Sequence, residues 1–444
     1  MLNTLQKWLR PLLQLTNVKA LQAFHLMRQG ATILTAILLA KSYLPTAAIG
    51  NYEQLLYIGY AVSFFWVSGL IQGLLTTYSD GSEADRRVYL FNAYLVFGGI
   101  SLFFFLVLLG FRQPALMLFT GKGALPFFTL YLVYMLFNMP TYLVENIYLL
   151  LGKPKRIFQF GFFSFGGHLA AMLIPVFAGW DFRYSFIGLV ILALIKHSWM
   201  LVLLSQKSKA QVRWDLVRPW LILSLPLMGY ALLGGLMQTF DNWLVNYWYD
   251  GDERTFAIFR YGARELPLAL ALAHAFGTAM LPEVRDNLDK ALTDIRVKSR
   301  KLFHLLFPLS IVLLATSTWF FPIVFNADFM ESVPVFNTYL LIIFSRLIFS
   351  RTVLVGLKDN TVVLWISVIE LLVNIGASFL LIAWLGLTGV ALATVIAFSL
   401  EKLLICGYLY RKHGIGVRKY VDLRWWMGYT LALWAVYVWQ MNYW

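Results

Sequence analysis

GLKDNTVVLWISVIELLVNIGASFLLIAWLGLTGVALATVIAFSLEKLLICGYLYRK, residues 356–412, holds two apolar runs, 360–383 and 387–410, parted only by a turn at Leu385–Gly386. Each run matches the roughly 20 helical residues that cross a bilayer core. Neither alternates polar with apolar residues, as a barrel strand would. Lipid offers the backbone no hydrogen-bonding partner, so an isolated spanning run must satisfy itself as a helix. The stretch reads as a hairpin of two transmembrane helices with a basic exit at Arg411–Lys412.

The whole chain repeats this pattern. Of 444 residues, 60% are hydrophobic, 17% aromatic and 13% charged, against about 25% charged in a soluble domain; mean hydropathy is +0.70. Spans are expected near 19–43, 52–78, 89–112, 125–151, 157–179, 184–205, 219–247, 256–282, 301–326, 334–356, 360–383 and 387–410. A Trp-rich thirteenth stretch, 425–441, is barely long enough to cross and is expected to be dispensable to the twelve-helix core. Leu2, Leu5, Leu9, Leu12 and Leu13 recur at helical spacing beside Lys7 and Arg10, which reads as an interfacial helix over 1–18.

Sorting the 36 Lys and Arg residues by loop, with the N-terminus inside, puts 25 on the cytoplasmic side, 5 outside and 6 within spans. That asymmetry orients a multi-pass inner-membrane protein with a cytoplasmic N-terminus. It also accounts for the net charge of +14 without invoking nucleic acid. The single cysteine, Cys406, excludes an intrachain disulfide, and no GxxxxGK[ST] run is present to bind ATP. No cofactor is expected. The outer loops are all short, leaving no room for an extramembrane catalytic domain, which argues for a transporter rather than an enzyme.

The segments 151–207 and 356–412 share a Gly-Lys turn, a span, a tight turn, a Gly-containing entry and a basic exit. Pairing Lys153 with Lys358, and Gly188 with Gly389, suggests a duplicated six-helix unit. The expected organisation is an all-α polytopic protein of two parallel six-helix lobes, an N-lobe over 19–210 and a C-lobe over 211–412. A basic segment with the possible extra helix follows over 413–444. Such two-lobed transporters hold substrate near the membrane midplane.

Four segments resemble the polysaccharide-transporter branch, the Wzx-type flippases, of the multidrug/oligosaccharidyl-lipid/polysaccharide (MOP) exporter superfamily. They are LPTAAIGNYEQLLYIGYA (44–61); Asp241-Asn242 and Tyr249 with FAIFRYGARELPLALALAHAFGTAMLPEV (256–284); the Gly-Lys turns at 152–155 and 356–358; and LLVNIGASFLLIAWLGLTGVALATVIA (371–397). The resemblance covers about 40–410. It implies MATE-like six-helix lobes, alternating access and a polyprenyl-diphosphate-linked oligosaccharide as cargo. Membrane lipids, H⁺ or Na⁺ as coupling ion, and a polysaccharide polymerase are the partners to expect. Two departures stand out. The first span carries no Asp or Glu, unlike many drug exporters, and flippases for the peptidoglycan precursor have fourteen helices. A small-molecule exporter of the same superfamily is the alternative, followed by a membrane-embedded sugar polymerase or transferase.

Eleven charges fall within spans: Arg28, Lys196, Arg260, Arg264, Arg346, Lys402, Glu145, Asp241, Glu265, Glu370 and Glu401. Facing lipid they would cost on the order of 30 kcal/mol in total, so most must face water or one another. Guanidinium forks suit a diphosphate. Arg28, Arg264 and Arg346 are therefore the leading substrate-binding cations, with Arg260, Lys196 and His25 as further candidates. Interhelical ion pairing is the competing role; for Lys402, beside Glu401 near the cytoplasmic end, a local pair or a snorkelling lysine is preferred. Asp241, Glu370 with Asn374 on one helix face, and Glu145 are the candidates for ion coupling, against structural hydrogen bonding across helices.

Overall fold

The computed structural model describes residues 16–78, 82–264 and 266–442, so the expected interfacial helix at the N-terminus lies outside the described residues. Among the described residues all regular structure is helical. Nine helical stretches among them are long and apolar enough to cross a membrane, as expected of a multi-pass membrane protein. All twelve expected spans fall mainly on helix.

The chain divides into two compact units, Met1–Gly235 and Leu236–Trp444. The first contains α1 (Asn17–Ala40), α2 (Thr46–Thr77), α3 (Glu83–Gly110), the short α4 (Arg112–Thr120), α5 (Phe128–Asn138), α6 (Val144–Leu150), α7 (Pro154–Phe177) and α8 (Arg183–Lys207). The division falls inside α9 (Trp214–Trp248). The second unit continues with α10 (Glu253–Gly262), α11 (Pro267–Asp286), α12 (Leu288–Val324), α13 (Val333–Leu340), α14 (Ile342–Arg346), α15 (Ser350–Gly356), α16 (Asn360–His413) and α17 (Leu423–Met441).

Apolar surface gains little by leaving lipid for protein, so close backbone approach and interhelical hydrogen bonds hold such units together. In the first unit α1 packs on α7: a side chain at Gly161 would meet Phe24 and Met27 at 2.7 Å. Phe24 also stacks on Phe160, centroids 6.3 Å apart. The segment 208–213, a candidate linker by sequence, is fastened to the start of α3. The Asn92 amide donates to the Gln211 carbonyl (2.8 Å), Arg213 N–H donates back to Asn92 Oδ1 (3.2 Å), and Arg213 pairs with Asp85 at 2.7 Å.

Three expected spans are interrupted. The fourth, 125–151, is α5, a 3₁₀ turn over Met139–Leu143 and α6. Pro140 lies in that turn, where its missing N–H ends the α ladder. The eighth, 256–282, breaks between α10 and α11 just before Pro267. The tenth, 334–356, breaks after α14 at Leu347–Phe349. By contrast, α16 carries the eleventh and twelfth spans as one element of 54 residues, reversed at Gly386, whose φ of +57° with ψ −137° is closed to other residues in practice. The expected inner loop 283–300 is largely helix: α12 begins at Leu288 and extends the ninth span.

The 425–441 stretch, expected to be dispensable to the core, is helical and packed. α17 docks on α12 and the tenth span: Gln440 Nε2 donates to the Ala315 carbonyl (2.7 Å) and Trp426 Nε1 to that of Phe344 (2.8 Å). Tyr429 stacks on Phe307 at 5.3 Å, and Leu433 is fully buried. Trp-rich composition alone suits an interfacial helix. Here much of the polar edge of that helix finds hydrogen-bond partners inside the unit.

The turns that end α6 and α15 share one backbone form, at an offset one residue longer than the Lys153–Lys358 pairing. At the end of α6, Gly152 N–H bonds to Leu149 O and Lys153 N–H to Tyr148 O; at the end of α15, Lys358 N–H bonds to Val355 O and Asp359 N–H to Leu354 O. The offset is 206 (358 − 152), so Lys358 matches Gly152 and not Lys153. Both occupy the left-handed region, at φ +63° and +66°.

Candidate functional site

Three of the candidate residues, Glu145, Arg264 and Arg346, lie at the three helix interruptions. Irregular backbone within a membrane persists only where it is enclosed by protein or lines a wet cavity, and broken helices mark the binding regions of many transporters. Asn138 and Glu145 flank the first break, Arg264 lies in the second, and Arg346 closes the helix before the third.

In the first unit, Glu145 is 6% exposed and one of its oxygens, Oε2, has no hydrogen-bond partner. Lys196 on α8 and Arg28 on α1 lie within electrostatic reach of it, though neither is close enough to form an ion pair. Lys196, itself 9% exposed, donates to Asn138 Oδ1 at 2.6 Å and lies over the Phe160 ring. Lys196 is thus committed to the break in the fourth span. Arg28 and His25 are exposed on α1, where Thr32 back-bonds to the Arg28 carbonyl.

In the second unit, Asp241 and Asn374 meet. Asp241 Oδ2 accepts from Thr394 Oγ1 (2.9 Å) and from Tyr339 OH (3.3 Å), and Asn374 Nδ2 donates to the same Thr394 Oγ1 (3.2 Å). Four side chains from α9, α13 and both halves of α16 form one buried network. Asp241 Oδ1 and Asn374 Oδ1 remain without partners. A carboxylate, a carbonyl and a hydroxyl are the oxygen donors that hard cations take, and the carboxylate alone can hold a proton. A search for charge passes over Tyr339 and Thr394 because both are neutral. The signal available was a lone threonine in the Ala-rich run ALATV at 391–395.

Glu370, one turn before Asn374, belongs elsewhere. It lies within electrostatic reach of Glu401, Arg351 and Lys402. Glu401 is paired with Lys402 at 2.8 Å, as expected, and with Arg351 at 3.3 Å. Arg346 is half-buried, 5.7 Å from the Phe398 ring centroid. Together with Leu270, Ser310, Tyr339 and Ile343 it lines a small open cleft of ≈ 20 Å³. Arg264 lies 4.6 Å from the Tyr261 ring centroid, and Arg260 is half-buried on α10. Glu265 is outside the described residues.

No family model and no curated protein sequence matches the chain. Solved structures do. The chain is similar to the lipid II flippase MurJ in an inward closed conformation, at 16% identity and a TM-score of 0.72 over 96% of this chain and 98% of that one. It is similar to a point mutant of the Vibrio cholerae MATE transporter VcmN at 16% identity and 0.56, covering 95% and 98%. A multidrug resistance MATE family transporter of the MOP superfamily, outward-facing, matches at 12% and 0.57, covering 94% and 97%. The fold is the one these flippase and MATE transporter structures share.

Proposed function

We propose that the protein is a flippase that carries a polyprenyl-diphosphate-linked oligosaccharide across a bacterial inner membrane by alternating access, its N-terminus cytoplasmic, for export of a surface polysaccharide. The observation that carries this reading is the placement of Arg264 and Arg346 at interruptions of two membrane helices. A guanidinium there has freed backbone beside it and presents its donor fork to phosphate oxygens. Arg28, exposed on α1, supplies a third cation, with His25 beside it and Arg260 and Lys196 as secondary contributors. The similarity to a flippase of a lipid-linked precursor supports this class of cargo, and the MATE similarities support the small-molecule exporter as the second reading.

The Asp241–Asn374–Thr394–Tyr339 network is the proposed coupling site, taking H⁺ or Na⁺. Glu145 and Glu370 are secondary candidates, each beside cations that disfavour a metal ion. A polymerase that consumes the exported glycan is the expected functional partner.

The test is glycan export at matched protein level. Arg28→Ala, Arg264→Ala and Arg346→Ala are expected to abolish export while the protein still inserts, and Arg→Lys to retain part of it. Wild-type export by the triple alanine variant would overturn the reading in favour of a neutral-substrate exporter.

A further inference from the structure

Glu145 and Lys196 are buried within electrostatic reach of one another and do not touch. Glu145 Oε2 has no hydrogen-bond partner, while the Lys196 ammonium donates to Asn138 Oδ1 at 2.6 Å. A carboxylate buried with an unsatisfied oxygen is costly, and a buried ammonium nearby gains most by direct contact with it. A proton on Glu145 accounts for both observations. The neutral acid is far cheaper to bury, and Lys196 is left to satisfy the Asn138 amide instead. The other titratable groups within reach, among the described residues, are Arg28 on α1 and Tyr142 in the 3₁₀ turn for Glu145, and His168 on α7 for Lys196.

Asn138 ends α5 at the break in the fourth span. Two successive residues of α8 grip that break. Lys196 holds the Asn138 side chain, and His197 Nδ1–H donates to the Phe137 carbonyl (3.1 Å) while its Nε2 meets Tyr94 OH of α3 (2.9 Å). The His197 contacts do not depend on the charge of Glu145, whereas the Lys196 contact does. An ionised Glu145 is a stronger, charge-assisted acceptor than the Asn138 amide. The flexible four-carbon stem of lysine lets the ammonium exchange one for the other.

We propose that Glu145 is a proton-binding site of the first unit and that Lys196 is the positioning residue that relays its state to the fourth span. With the proton bound, Lys196 stays on Asn138 and the break is gripped at both points. When the proton leaves to water, the ammonium moves to the carboxylate and His197 alone holds the break. An ammonium already in place repels a metal ion, so the site is selective for a proton. The direction rests on the export reading given above. An exporter driven by exchange gives up its proton as it takes cargo, so proton and cargo oppose one another, and this opposition is measurable from either side.

The experiment records infrared difference spectra, acid minus alkaline, of the purified full-length protein in lipid bilayers, at the carbonyl band of protonated carboxyl groups. Wild type is expected to show a component that Glu145→Gln removes and Asp241→Asn keeps. In Lys196→Gln, which bonds Asn138 without a charge, that component is expected to survive to about tenfold lower proton concentration. In Asn138→Ala, which leaves the ammonium no acceptor but Glu145, it is expected to vanish at a higher proton concentration than in wild type. Where either variant does not fold, Lys196→Met and Asn138→Leu, closer in volume, take their places. A spectrum unchanged by Glu145→Gln overturns the proton site. A Glu145 component that does not move in opposite directions in the Lys196 and Asn138 variants overturns the role of Lys196. Undecaprenyl diphosphate added at neutral pH is expected to deplete the Glu145 component. A component with the expected variant behaviour that this lipid leaves unchanged overturns the exchange reading while the proton site stands.

Discussion

Glu145 and Arg351 occupy matching positions, each the second residue of α6 and of α15, at the same offset of 206 (351 − 145) that relates Gly152 to Lys358, and they carry opposite charge. Each has its counter-charge on another helix of its own unit: Lys196 on α8 for Glu145, Glu401 on α16 for Arg351. The second pair is in contact and reinforced by Lys402; the first is held apart, with Lys196 turned to Asn138. Glu401 is buried and its loss leaves Arg351 and Lys402 unpaired, though with Arg351 39% exposed the cost falls below the value of about 3–5 kcal/mol for a fully buried pair. Glu401→Gln is therefore expected to reduce the yield of folded protein sharply, and the exchanged pair Arg351→Glu with Glu401→Arg to recover part of it. Glu145→Gln, which loses no contact, is expected to leave yield near wild type. Fluorescence-detected size exclusion after membrane extraction reads all three.

Lys358 sits at φ +66° where the matching turn has glycine. A left-handed L-residue costs roughly 1–2 kcal/mol. Lys358→Gly is expected to raise the melting temperature by a few degrees, and Gly152→Lys to lower it. Equal melting temperatures for Lys358→Gly and wild type would show that the turn carries no such strain.

Asp359 joins the turn before α16 to the end of that helix. Its carboxylate accepts from His413 Nε2 (2.7 Å) and Lys412 Nζ (3.1 Å). The hydrogen bond from His413, aided by Lys412, holds the Asp359 carboxyl below the usual carboxylate range. A depressed folded-state value contributes stability above the unfolded pKa of about 3.9. That stability is lost as the pH falls through the folded value. The acid limb of the melting curve is expected to begin below about pH 4 and to flatten in Asp359→Asn, which should also be less stable than wild type at neutral pH.

Truncation after Lys412 removes α17 with its bonds to Ala315 and Phe344. The expected outcome is a large drop in extractable folded protein. Normal yield would return α17 to the status of an appendage.

Orientation is tested at exposed positions: Lys209 and Lys290 on one side, Arg183 and Asp250 on the other. Cysteines at the first two are expected to resist an impermeant reagent in intact cells, and those at the second two to react. Labelling at 209 would invert the topology.

The spans were legible because lipid demands long apolar runs, and so was the turn at Gly386. Lys402 and Glu401 were legible as neighbours in sequence. The breaks were not, because apolar residues run straight through Met139–Leu143 and hydropathy does not register a lost backbone bond; Pro140 and Pro267 were the available signals. The partners of Asp241 lie 98 and 153 residues away and bear no charge, so no solvation cost drew attention to them. Lysine identity pairs 153 with 358, whereas the left-handed position falls one residue earlier in the first of the two turns.

The reversed polarity of Glu145 and Arg351 has a consequence for biogenesis. A newly inserted chain with two similar halves risks pairing a helix of one half with the counterpart of its true neighbour. Such an exchange here would set Glu145 toward Glu401, and Arg351 toward Lys196, like charge against like in a medium that screens neither. Repulsion between wrong partners discriminates as effectively as attraction between right ones. Each half carries an electrostatic address, and the two halves are not interchangeable.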